Sequence, residues 1–175
     1  MKIIVYGSQY GSAKEYGEEL SRRTGIKAEE YKKVRDIAQY DTIAYIGALY
    51  AGSVLGMKKT LNKIRDCSEK KIVIATVGLA DPDDKDNTDR ITDNIKKQLS
   101  DDVYNHASIH FLRGRIDYST LSIKHKTMMA FVHRKAENLK EGEKTAEVKA
   151  ILETYGKKVS YMDFDSLNPI IDELK

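Results

Sequence analysis

The stretch KIIVYGSQYGSAKEYGEEL, residues 2–20, decides the fold. Ile3-Ile4-Val5-Tyr6 is a continuous apolar, β-branched run, the pattern of a strand buried on both faces. Gly7 ends it, and Ser8-Gln9-Tyr10-Gly11-Ser12 follows as a short polar turn. From Ala13 to Arg23 the pattern is helical, with Ser12 as the expected N-cap and Thr24-Gly25 as the stop. A buried strand that runs through a polar, Gly-containing loop into a helix is the opening unit of a parallel α/β sheet.

The same alternation recurs along the chain. Apolar runs at Thr42–Ile46 and Ile72–Val77 predict further strands, Ser108–Leu112 reads as another, and Ala28–Tyr31 as a short one. Helices are expected at Leu55–Arg65 and Thr88–Leu99, with a helical turn at Val34–Gln39. They are also expected at Thr120–Leu139, Lys144–Tyr155 and Ser166–Leu174. The reading is one doubly wound, five-stranded parallel sheet in the order 2-1-3-4-5, with helices on both faces and a helical insertion over about 117–158. Ligands of such sheets sit beyond the carboxyl ends of the strands. The loops to inspect are therefore 7–13, 47–54, 78–87 and 113–118.

Composition narrows the classes. The chain of 175 residues is 33% charged with mixed signs, and its net charge of +3 is too mild for a nucleic-acid face. No apolar stretch reaches the length of a membrane span, and the early Gly7 interrupts any signal-peptide core. A single cysteine, Cys67, excludes an internal disulfide. A cytoplasmic location is expected.

The first loop reads as an anion site. Backbone N–H groups of residues 9–13 and the hydroxyls of Ser8 and Ser12 point at whatever sits before the helix, whose dipole favours negative charge. Neither a Walker A motif nor a G-x-G-x-x-G fingerprint is present. The second loop, Gly47-Ala48-Leu49-Tyr50-Ala51-Gly52-Ser53, combines small residues with Tyr50, an aromatic face for a flat ligand. The third, Val77-Gly78-Leu79-Ala80-Asp81, offers backbone and small side chains to the other edge of a ring. The acidic run Asp81, Asp83, Asp84, Asp86 lacks the glycine and terminal glutamate of a calcium loop, so no metal is assigned. The histidines form no metalloprotease motif, Cys67 reads as a structural thiol, and no catalytic residue is assigned.

Taken together, VYGSQYGSAKEYGEEL and YDTIAYIGALYAGSVLGMKKTL resemble the phosphate loop and the second flavin loop of the flavodoxins. The resemblance covers roughly residues 1–118 and the C-terminal helix. It implies FMN as cofactor, held by Ser8, Gln9, Tyr10, Gly11, Ser12 and Ala13 at the phosphate. Ala48, Leu49, Tyr50, Ala51 and Gly52, with Val77, Gly78, Leu79, Ala80 and Asp81, would flank the ring. Tyr10 and Ala13 stand where the family places hydroxyls, which leaves more of the phosphate to backbone N–H groups. The segment HFLRGRIDYSTLSIKHKTMMAFVHRKAE is similar to the branch that contains menaquinone-dependent protoporphyrinogen oxidase. That likeness implies a redox partner protein or quinone as electron partner. Arg113, Arg115 and Tyr118 become candidate substrate, partner or homodimer contacts. The basic, apolar helix at 121–135 suits an anionic membrane surface, an acidic partner or porphyrin propionates, or else packs on the fifth strand with its charges in water. The expected function is FMN-dependent electron transfer. The alternatives are a quinone-coupled flavin oxidoreductase and a non-redox module of the same fold.

Overall fold

The computed structural model describes residues 1–50 and 52–175; Ala51, a candidate cofactor contact, lies outside the described residues. The elements run β1 (Lys2–Gly7), α1 (Ser12–Thr24), β2 (Ala28–Glu30), β3 (Thr42–Tyr50), β4 (Ser53–Val54), α2 (Met57–Leu61) and β5 (Lys71–Gly78). They continue with α3 (Lys85–Gln98), α4 (Asp101–Asn105), β6 (Ala107–Arg113), β7 (Arg115–Asp117), α5 (Ile123–Glu137), α6 (Ala146–Thr154), β8 (Lys158–Ser160) and α7 (Asn168–Leu174).

The main sheet has the order β2-β1-β3-β5-β6, all parallel along this path, which is the expected doubly wound architecture. Alternate residues of each strand feed two cores. Ile3, Val5, Ile43, Tyr45, Ile72 and Ile74 pack with Met57, Leu61, Ile64, Ile95, Leu99 and Val103 on one face. Ile4, Ala44, Ile46, Val73 and Ala75 pack with Ala13, Tyr16, Leu20, Ile170 and Leu174 on the other. Because both faces are covered, the central strands β1, β3 and β5 read as nearly continuous apolar runs instead of alternating ones. Each fully buried Ile or Leu here contributes roughly 1.5–3 kcal/mol relative to exposure.

Three local expectations are corrected. Residues 34–39 form turns, not a helical turn, and Val34 and Ile37 are buried into the first core without one. The helix expected at Leu55–Arg65 is only Met57–Leu61. After it the chain tightens into i→i+3 bonds, Lys63 N–H to Thr60 and Ile64 N–H to Leu61, so Ile64 reaches the core from a turn. The helix expected from Thr88 begins at Lys85, because Asp84 accepts a hydrogen bond from the Asn87 N–H and caps it.

The segment after the fifth core strand is not a loop. β7 pairs antiparallel with β8 through Ile116↔Val159, so the helical insertion leaves and returns on one two-stranded ribbon. No helix among the described residues is long and apolar enough to cross a membrane.

Candidate functional site

The first loop turns on Gly11, whose φ of 100° lies in the left-handed region that side-chain-bearing residues avoid. Gly11, not Ser12, occupies the cap position of α1, and no side chain caps the helix. Ser12 is the first helical residue, and its Oγ accepts the Arg115 N–H at 3.1 Å, which ties the start of α1 to β7. Ser8 Oγ accepts the Gly11 N–H at 3.1 Å, which leaves the Ser8 hydroxyl proton to donate elsewhere. The N–H groups of the first turn have no partner inside the helix and present an anion-binding end. Arg115 crosses this end. Its guanidinium grips Glu15 in a two-pronged pair, with Nη1 at 2.7 Å from Oε2, and a Cβ on Gly11 would sit 3.4 Å from Nη2. The sequence places Arg115 near the flavin face but gives no hint of its pairing with Glu15.

The second loop is a hairpin. β3 continues through Ala48 and Leu49 to Tyr50 and pairs with β4 as Leu49↔Val54 and Tyr50↔Ser53, with Gly52 at the turn. It folds back over the sheet because two registered glycines, Gly7 and Gly47, leave room. A Cβ on Gly7 would lie 2.0 Å from the Leu55 carbonyl oxygen, and one on Gly47 2.2 Å from Val54 Cγ1.

The third loop is held from β6. Arg113 donates to the Leu79 carbonyl from Nε at 3.2 Å and Nη2 at 2.9 Å, and its guanidinium stacks on Tyr161 at 3.8 Å. Arg113 Nη1 also stands 3.9 Å from Asp81 Oδ2. The Gly78 carbonyl accepts the Gly114 N–H at 2.7 Å. Val77 is buried in the second core, while Ala80 is half-buried and Asp81 exposed. Arg113 therefore positions the loop; its side chain is engaged on both sides.

The insertion sits on all three loops. Ile116, Tyr118, Leu121 and Met129 form a third apolar cluster, against which Tyr10 of the first loop and Leu79 of the third pack. His125 of α5 reaches the second: its Nε2 lies 3.2 Å from the Tyr50 hydroxyl and its Nδ1 3.0 Å from Ser122 Oγ. The Tyr10 ring stands edge-on to His125 at 5.3 Å and to Tyr50 at 6.5 Å between centroids. His125 is the functional candidate that sequence reading missed. Its only signal is a capping serine three residues before a histidine, a spacing too common to single out.

Two buried phenol oxygens among the described residues have no hydrogen-bond partner, Tyr10 Oη and Tyr118 Oη, and both belong to this cluster. Burial pushes Tyr118 up to about 12, helped by Tyr155 and Tyr10, and raises Tyr10, helped by Tyr50. Both are neutral donors at neutral pH. An unpaired buried hydroxyl is costly, and such groups mark places where a ligand completes the bonding. An uncapped helix N-terminus directly after Tyr10, and a cluster of aromatic edges that also holds the Tyr118 phenol, fit a ligand that has a phosphate and a flat ring bearing carbonyl and nitrogen acceptors. FMN has both. Gln9 is exposed at the rim of the first loop, and Ala13 is buried against the second core.

The profile of the family described as Flavodoxin domain matches residues 3–143. Among solved structures, a Fusobacterium nucleatum flavodoxin variant bound to flavin mononucleotide is 15% identical. The alignment covers 68% of this chain and 71% of that one, with a TM-score of 0.44. A flavodoxin variant from Pseudomonas aeruginosa is 13% identical over 78% of this chain and 97% of its own, with a TM-score of 0.39. A structure described as a flavone reductase is 11% identical over 89% of this chain and 65% of its own, with a TM-score of 0.43. No curated protein matches the chain by sequence.

Proposed function

Because the chain belongs to the flavodoxin domain family, we propose that it is an FMN-dependent electron-transfer protein whose flavin lies beneath the helical insertion. The observation that carries this reading is the pair of unpartnered phenols, Tyr10 at the uncapped start of α1 and Tyr118 in the apolar cluster it packs against. Bound FMN supplies one- and two-electron chemistry; the residues around it set affinity, orientation and access. The first-turn N–H groups and the Ser8 and Ser12 hydroxyls would hold the phosphate. Tyr50 would lie against the ring, with residues 77–81 at its edge. Arg115 brings a guanidinium to the phosphate end, its charge balanced by Glu15. His125, bonded to Tyr50, fixes the position of the cover and of the ring-flanking tyrosine together.

A second reading, a quinone-coupled flavin oxidoreductase of the protoporphyrinogen oxidase type, is favoured by the cover itself. An electron carrier works through an exposed flavin edge that meets its partner protein, whereas a covered flavin suits a small substrate. The outer face of α5 adds support: Ile123 is 85% and Phe131 60% exposed, beside Lys124, Lys126 and Lys135. Such a face suits the anionic surface of a membrane, where quinones reside, and a cytoplasmic protein would meet it through residues 121–135.

Anaerobic reduction separates the readings. The FMN-loaded protein is mixed with a flavodoxin reductase and NADPH, and in parallel with protoporphyrinogen and a menaquinone analogue. Full bleaching of the flavin bands by the reductase, without porphyrin formation, supports the carrier. Turnover with the porphyrinogen supports the oxidoreductase. Failure to load FMN at all leaves the non-redox module.

A further inference from the structure

The end of the sheet opposite the three loops holds a second cluster of side chains that the flavin reading does not use. The register Ile72↔Ala107 puts the turn before β5 beside the end of α4. Cys67 comes from that turn, and Asp102 and His106 stand four apart at α4 and its C-cap, on one helical face. One ligand atom from each of the three lies within 4.8 Å of the other two. The Cys67 N–H donates to Asp102 Oδ2 at 3.1 Å, and His106 Nδ1 lies 2.8 Å from the Asp102 carbonyl oxygen and 3.5 Å from Asp102 Oδ1. Cys67 is fully buried, whereas the His106 and Asp102 side chains are 39% and 48% exposed, so the cluster opens to solvent on one side.

Burial, with the Asp102 carboxylate beside it, pushes the Cys67 thiol up to about 11. The geometry points to a use for the cluster: we propose that Cys67, Asp102 and His106 form a binding site for a divalent ion of the zinc class, with water as the remaining ligand. A soft sulfur and a borderline imidazole nitrogen beside one carboxylate oxygen make a donor set that zinc and cobalt take in tetrahedral sites, whereas magnesium and calcium require oxygen donors throughout. On binding, the Cys67 S–H bond breaks, its proton goes to solvent and a sulfur–metal bond forms, with no change of oxidation state. The charged groups nearby allow it. Asp66 adds negative charge close to His106, and the Lys70 ammonium, whose charge favours the Cys67 thiolate, is itself held by the Ala38 and Tyr40 carbonyls at 2.8 and 2.9 Å. The site would tie α4, a helix of five residues, to the turn that starts β5.

The test uses the full-length protein without a histidine tag, titrated with Co²⁺ in place of Zn²⁺. The expected result is one equivalent bound, with a thiolate-to-cobalt charge-transfer band in the near ultraviolet and visible bands of tetrahedral cobalt, all displaced by Zn²⁺. His106→Ala, at an exposed position that leaves the core intact, should weaken binding at least tenfold, and Cys67→Ser should remove the charge-transfer band. FMN retention should not change in His106→Ala, because the cluster and the flavin loops lie at opposite ends of the sheet. A wild-type protein without the charge-transfer band, or a His106→Ala variant that binds cobalt as tightly as wild type, overturns the proposal. If Cys67→Ser fails to fold, the His106→Ala titration decides.

Discussion

Replacing Tyr10 by phenylalanine removes one oxygen atom and nothing else from the proposed flavin site. The Tyr10 ring stays edge-on to His125 at 5.3 Å and to Tyr50 at 6.5 Å, so the aromatic packing is kept. What disappears is a buried hydroxyl without a hydrogen-bond partner. Leaving such a group unsatisfied costs about 1–3 kcal/mol. Taking the lower figure, flavin-free Tyr10→Phe should be more stable than wild type by about 1 kcal/mol, roughly 2–4 °C in Tm for a chain of this size. The same hydroxyl, if the flavin completes its bonding, favours the loaded state by at least as much. FMN should then bind Tyr10→Phe at least about fivefold more weakly. Urea denaturation of the flavin-free protein and a flavin fluorescence titration read the two effects separately. The opposite signs are the diagnostic feature. A variant less stable than wild type without flavin would mean that the hydroxyl is satisfied. Unchanged FMN affinity would mean that it faces away from the ligand. Either result refutes the reasoning.

Other substitutions and conditions probe the same frame. Ser12→Ala leaves the Arg115 N–H without its 3.1 Å acceptor and should cost about 1–3 kcal/mol in chemical denaturation, with FMN affinity falling as well. His125→Ala removes the contacts that hold α5 to Tyr50 and Tyr10; hydrogen exchange of the α5 amides should speed by about tenfold while the sheet amides are unaffected. Alkaline pH should destabilise the fold. Tyr10, Tyr16, Tyr45 and Tyr118 are all raised above their ordinary value, chiefly by burial, so the unfolded chain loses these protons first. Stability is therefore intact below about pH 10 and falls as pH rises through the folded values. A flat stability profile between pH 9 and pH 11 would contradict this.

The sheet was legible because its central strands are buried on both faces: Ile3–Tyr6, Thr42–Ile46 and Ile72–Val77 carry no polar side chain larger than a threonine apart from the tyrosine hydroxyls, and the connecting patterns are helical. The hairpin at Leu49–Val54 was not, because it depends on Gly7, a residue of another strand, and on space that only the folded sheet reveals. β7 and β8 are three residues each and lie about forty residues apart in sequence, so neither has a local signal; their pairing is a tertiary event. The start of α1 was read with the right chemistry and the wrong atom. Ser12 was expected to cap, but Gly11 takes the cap position through its positive φ, which frees the Ser12 hydroxyl oxygen for Arg115. Arg113 and Arg115 lie where expected, at the end of the fifth core strand. That their guanidinium groups are engaged by Leu79 and Tyr161 in one case and Glu15 in the other follows from contacts that no sequence spacing encodes.

The central claim is that the three loops and their cover hold FMN. The most direct measurement is the visible absorption spectrum of the purified protein, repeated after incubation with excess FMN and desalting. Flavin bands that persist through desalting in one-to-one amount, and that shrink in Ser12→Ala, are the predicted result. A protein that stays colourless after incubation with FMN, while folded by circular dichroism, would contradict the account and leave residues 8–13 as a strand-to-helix turn.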